Sequence, residues 1–239
     1  LEAHRLYREM MHYPELMAEM RRLFLSALEK AGIAGRETIR EEVRQAFAAG
    51  DEPLSPEDFQ DLTDSLIDLY FVHHFSWEKT RSTILLARKK DAFQQLQQVL
   101  NTEGATSSRI MAALKSFCEL PEGGVHISPD EAEGVRVALL NHFISSQLSF
   151  IGIAKQHITI RDVNDILSNS CWSPRRSGLI GGKAAGMFLA HKILMPRHEP
   201  MDPELEAHLA MPESYYFSSG ILSDFIDYNH LYSFHSQKY

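Results

Sequence analysis

One pattern governs the first two-thirds of this sequence: helix start signals followed by apolar residues three and four positions apart. Ser55-Pro56-Glu57-Asp58 sets a serine N-cap, a proline at the first helical position and acids in the first turn. Behind it Phe59, Leu62, Leu66, Leu69 and Val72 mark one helical face. Ser128-Pro129-Asp130-Glu131 repeats the signal. It launches a long apolar segment, Val135, Val137, Leu139, Leu140, Phe143, Ile144, Leu148, Ile151 and Ile153, which we expect to be one central buried helix. Pro14 opens a further helix through Met17, Met20, Phe24 and Leu28, ended by Gly32 and Gly35. The segments 36–49, 77–100 and 107–117 read the same way. Thr159-Ile160-Arg161-Asp162 is a capping box with Asp in place of Glu, opening a helix to about Asn169. We therefore expect an all-helical domain over 1–169.

The character changes after Cys171. Ser173 to Gly178 reads as a loop, and Gly181-Gly182-Lys183 runs into a helix carrying Met187, Leu189 and Leu194. Pro196 to Pro203 reads as a linker. Ser214-Tyr215-Tyr216-Phe217, between Pro212 and Gly220, is the best strand candidate. A final helix carries Ile221, Leu222, Phe225 and Ile226.

Composition excludes several classes. With 44% hydrophobic residues the 239-residue chain is too apolar for intrinsic disorder. Twenty-four Lys and Arg against 32 Asp and Glu leave a net charge of −8, which argues against a general nucleic-acid partner. No run approaches the roughly 18 apolar residues of a membrane span, and no signal-peptide pattern opens the chain, so we expect a cytoplasmic protein. Cys118 and Cys171 form no C-x-x-C pair, which leaves no disulfide framework and no zinc ribbon; both are expected to be buried and inert. The chain opens Leu1-Glu2-Ala3 without a methionine, so we expect it to be a piece of something longer.

The segment richest in chemistry is Gly178 to Gly186. Glycines ahead of a helix expose backbone N–H groups to the positive end of the helix dipole, and Lys183 adds a full charge suited to phosphate. From Ile166 to His198 there is no acid, while Arg175, Arg176, Lys183, Lys192 and Arg197 supply five positive charges. That local reversal of sign favours an anionic ligand. The competing explanation is a tight glycine turn for close helix packing with a solvated lysine. Neither a Walker loop nor a dinucleotide fingerprint fits, because Ser177 and Ala184 stand where Gly and Ser or Thr are needed and no G-x-G-x-x-G can be read.

Other candidates are weaker. His73 and His74 are adjacent and should point to different faces, His142 and His157 read as core or cap histidines, and no H-E-x-x-H or G-x-S-x-G occurs. The acids Asp51, Glu52, Glu57, Asp58, Asp61, Asp64 and Asp68 read as helix-start and solvent-face residues. We assign no catalytic residue and no metal ligand.

Gly181-Gly182-Lys183-Ala184-Ala185-Gly186-Met187 resembles the G-G-K-[AG]-x-x-L stretch that opens the nucleotide-binding domain of pyruvate phosphate dikinases and phosphoenolpyruvate synthases. Met211 to Ser218 lies where that family has its proline-containing strand, though Glu213-Ser214 replaces the usual Pro-Gly. The resemblance is best over 178–229. It implies a mainly α chain: a helical bundle, then the opening helix–strand–helix part of an ATP-grasp-like (α+β) nucleotide-binding domain over 170–239. It further implies Gly181, Gly182 and Lys183 as ATP-binding residues. ATP, with Mg²⁺ in the full-length protein, would be the cofactor, and pyruvate or phosphoenolpyruvate the reactant. The arginine motif, magnesium-binding acids and phosphohistidine segment of that family find no counterpart in this sequence, so the resemblance implies an N-terminal part of an ATP-dependent phosphotransferase that cannot turn over alone. The alternative is a regulatory or interaction module without activity, such as a dimerisation bundle.

Overall fold

The computed structural model of the chain describes residues 2–48, 54–122, 127–173, 176, 178–195, 208 and 212–235. It is mainly helical and falls into two compact units, Leu1–Asp91 with Glu122–Val125, and Ala92–Pro121 with His126–Tyr239. The division lies inside one helix, α5 (Trp77–Leu100). The boundary expected near Asn169 falls within the second unit.

The first unit contains α1 (Glu2–Met10), α2 (Pro14–Lys30), α3 (Arg36–Phe47), α4 (Pro56–His74) and the start of α5. Helix α2 ends as its sequence dictates. Gly32 takes φ +67°, a left-handed conformation that a side chain resists, and its N–H donates to the Glu29 carbonyl. Ile33 N–H then returns to the Leu28 carbonyl at 3.0 Å. Ser55 caps α4 by accepting the Asp58 N–H. The core of this unit is apolar, with Phe24 and Phe71 fully buried and stacked at 3.8 Å between ring centroids.

The second unit holds the end of α5, α6 (Ser107–Cys118), α7 (Pro129–Leu139), α8 (Leu148–His157), α9 (Ile160–Ser168), α10 (Gly182–Leu194) and α11 (Ser219–Tyr228). Its two short strands, β1 (Ser170–Cys171) and β2 (Tyr216–Phe217), pair in parallel. Strand β2 falls inside the segment read as a strand. Strand β1 was not expected. The capping box read at Thr159 forms with Asp162 on α9, and Ser128, read as a helix start, forms a second with Glu131 on α7. Ile166 and Leu167 of α9 share one core with Ile180, Ala185 and Phe188, so the chain on either side of Asn169 packs together.

The single long helix expected from Pro129 to Ile153 is in fact broken. Helix α7 gives way to a π-helical turn, Leu140–Ile144, closed by the Ser145 N–H on the Leu140 carbonyl at 2.9 Å. Ser145 is extended, and α8 starts only at Leu148. In this separate helix Leu148 and Ile153 are 85% and 52% exposed, not buried as one central helix would have them. The linker 196–203 and the loop glycines 123 and 124 lie outside the described residues.

Candidate functional site

The predicted residues sit at the N-terminus of α10. Gly181 is its N-cap, in extended conformation at φ −63° and ψ 149°, and supplies no side chain to cap the helix. Gly181, Gly182 and Lys183 are all exposed. A methyl group built on Gly181, Gly182 or Gly186 would meet nothing within 4 Å. Neither a left-handed backbone nor close packing therefore requires glycine at these three positions. The packing explanation belongs instead to Gly178 and Gly220, where an added Cβ would fall 2.5 Å from the Gly220 nitrogen and 2.9 Å from the Arg176 carbonyl.

Two contacts fix what precedes this turn. The Ile180 N–H donates to the Phe143 carbonyl at 3.0 Å, an acceptor that faces Ile180 from within the π turn. The Leu179 carbonyl accepts from the Ser219 N–H, and the Leu179 N–H donates to Ser219 Oγ. At its other end α10 is held by Lys192, whose ammonium meets Asp162 at 2.8 Å. Asp162 is 1% exposed; burial alone would raise its pKa, but Lys192 and the Thr159 N–H and hydroxyl outweigh burial and hold the carboxyl below its ordinary value. The neighbouring His191 is pushed down, chiefly by burial and then by Lys192.

The cationic run of the sequence is partly spent in space. Arg176 pairs with Asp224 and Asp227 of α11, and Lys192 with Asp162. Among the described residues no carboxylate pairs with Lys183. Arg175 and Arg197 lie outside the described residues.

Lys183 does not line the cavity beside the start of α6. That cavity, of about 430 Å³, is lined by Thr102, Ser107, Ser108, His142, Ser173 and Arg176 among others. Here the structure brings together a pair the sequence did not: Ser107 Oγ and His142 Nε2 stand 3.2 Å apart. Thirty-five residues separate them, His142 on the π turn and Ser107 at the start of α6.

The remaining candidates resolve as follows. Cys171 is exposed and Cys118 half-buried, contrary to the buried thiols expected, because β1 turns Cys171 outward. His73 and His74 meet edge to face at 5.0 Å. Asp64 and Asp68, expected on a solvent face, instead clasp Arg21 at 2.8 and 3.0 Å, with the Tyr7 hydroxyl on Asp68 at 2.7 Å. Burial dominates for Asp68, raising its pKa in spite of Arg21. Tyr7 is pushed up to about 12, by burial and then by Asp68. Asp51 and Glu52 lie outside the described residues. Among the described residues no three His, Cys, Asp or Glu side chains are placed to hold a metal ion, and no helix is long and apolar enough to cross a membrane.

No protein family, curated protein or solved structure matches this chain.

Proposed function

We propose that Gly181, Gly182 and Lys183 form a phosphate-holding turn, and that the chain is the opening part of an ATP-dependent phosphotransferase of the pyruvate phosphate dikinase and phosphoenolpyruvate synthase type. The observation that carries this reading is the openness of the turn. Three glycines stand where neither conformation nor packing requires them, beside an exposed lysine with no acid partner among the described residues. Bare backbone at a helix N-terminus lets a phosphate approach the N–H groups, and the missing side-chain cap leaves those donors unclaimed.

In this role the Gly182 and Lys183 N–H groups would bind phosphate oxygens and the Lys183 ammonium would offset their charge. The Lys192–Asp162 pair and the Ile180–Phe143 hydrogen bond would keep α10 in place while they do so. Magnesium, which the resemblance implies, finds no ligand cluster among the described residues, so its ligands would come from the rest of the enzyme. The acceptor would be pyruvate or a related acid, outside this chain.

The test is ATP-dependent phosphorylation by the protein expressed from its whole reading frame. Lys183→Ala should lower the rate about 10- to 100-fold, the worth of one charge-assisted hydrogen bond, with the helices intact by circular dichroism. An unchanged rate would remove Lys183 from the site.

A second reading, a dimerising helical module, is favoured by one feature of the first unit. Leu69, Val72 and Trp77 are each more than half exposed around an apolar groove of about 370 Å³. Light scattering decides it. A dimer converted to monomer by Val72→Asp supports the module, and a monomeric parent chain excludes it.

A further inference from the structure

One cavity of the second unit is lined by a serine and a histidine within hydrogen-bond reach of each other. We propose that Ser107 and His142 act as an acyl-transfer pair in this cavity, with Ser107 Oγ as nucleophile, His142 as general base, and a small neutral carboxylic ester as the class of substrate.

Geometry is the first argument. Ser107 is 9% exposed, lines the cavity and lies 3.2 Å from His142 Nε2, within the range of a nucleophile–base hydrogen bond. With the ring proton on Nδ1, Nε2 accepts from the serine hydroxyl. Burial lowers the His142 pKa, which keeps the imidazole neutral and able to take a proton.

Position in the chain is the second. Ser107 is the first residue of α6, behind the N-cap Thr106. The Thr106 carbonyl is taken by the Arg109 and Ile110 N–H groups, and the Thr106 hydroxyl by Arg109. The Ser107 and Ser108 N–H groups precede the first intrahelical bond, and so stay available beside the nucleophile for a developing oxyanion. Gly104, at φ +74°, makes the reversal that delivers this helix start to the cavity.

The π turn is the third. His142 lies at its centre, with its ring held edge-on to Phe143 at 4.6 Å. Phe143 is itself fully buried and pinned through its carbonyl to Ile180. A π turn stores a register that an uninterrupted helix would not adopt, and such turns concentrate at functional sites.

The walls fix the substrate class. Leu100, Ala105 and Ile110 supply apolar surface, and Thr102, Thr106 and Ser108 supply hydroxyls. Arg176, the cation of the lining, is already paired with Asp224 and Asp227, so the cavity offers no net positive charge to a polyanion. A volume of about 430 Å³ suits a small molecule.

The step balances without a further reactant. Ser107 Oγ bonds to the ester carbonyl carbon while its proton passes to His142 Nε2. The carbon–alkoxide bond then breaks and the leaving alkoxide takes that proton, which gives an alcohol and the acyl-serine. Water, deprotonated by His142, adds to the acyl carbon, the Ser107 Oγ–carbon bond breaks, and serine regains its proton as the acid departs.

The experiment is labelling of the 239-residue chain with a fluorophosphonate, followed by peptide mapping, alongside hydrolysis of p-nitrophenyl acetate. We expect one phosphonylated serine, Ser107, with labelling abolished in Ser107→Ala and slowed about 100-fold or more in His142→Gln. Ser82→Ala and Ser168→Ala, at exposed serines outside the cavity lining, should label as the parent does. No labelling of the parent, labelling of another serine, or an undiminished rate in a folded His142→Gln variant would overturn the proposal.

Discussion

Glycine carries opposite meanings at positions only a few residues apart. At Gly178 an added methyl would collide with the backbone at the start of α11, and backbone cannot swing aside as a side chain does. Gly178→Ala should cost about 1–3 kcal/mol through overpacking. At Gly182 the same methyl meets open space in a helical backbone, so Gly182→Ala should leave stability unchanged or raise it by about 0.4–1 kcal/mol. Thermal melts of the two variants check this directly: a lowered midpoint at Gly178 with an unchanged or raised one at Gly182 is expected, and a loss at Gly182 as large as that at Gly178 would return the turn to a packing role. Nothing in the sequence separates these glycines, because the difference lies in what approaches each from 40 residues away. The Ser107–His142 pair was hidden for the same reason. Each residue reads as ordinary in its own helix, and proximity is a property of the fold.

Among the elements, legibility followed local chemistry. The starts of α4, α7 and α9 were readable because an N-cap hydroxyl and its third following residue form a bond within four positions. Strand β2 was readable from its aromatic run between breakers. The break after α7 was not. Apolar residues continue from Leu139 to Ile153, so periodicity shows no gap, and the π turn is decided by Phe143 and Ile144 packing inward while Phe143 O meets Ile180. The ion pairs of α2 were equally hidden, and they make a pH prediction. Glu19 accepts from Arg22 first and, against burial, from Lys90 of α5, which together hold its pKa at about 2 rather than the usual 4.5. A carboxyl lowered on folding stabilises the native state above pH 4.5, and that contribution is lost as pH falls from 4.5 towards 2. Urea midpoints across this window should fall less steeply in Glu19→Gln than in the parent. Parallel slopes would show that the pair contributes nothing.

For the whole molecule, the sequence marks a change of character near Cys171, whereas compactness divides the chain near Asp91. The two differ because α5 runs through Asp91 without a break, and a helix continuous in hydrogen bonding gives no sign that its two ends serve different cores. The change at Cys171 is real in chemistry, since strands and the glycine turn appear there, but α9 and α10 share one core and one buried ion pair. The acid-free stretch shows the same effect of scale. Its sign reversal in sequence is cancelled at Arg176 and Lys192 by acids from elsewhere, and persists at Lys183.

The central claim concerns that one lysine, and an ATP acyl-phosphate probe, which acylates lysines beside bound phosphate, tests it most directly in the protein expressed from its whole reading frame. The account predicts modification at Lys183 above every other lysine of the chain, suppressed by excess ATP. Modification spread evenly over the lysines and indifferent to ATP would contradict it.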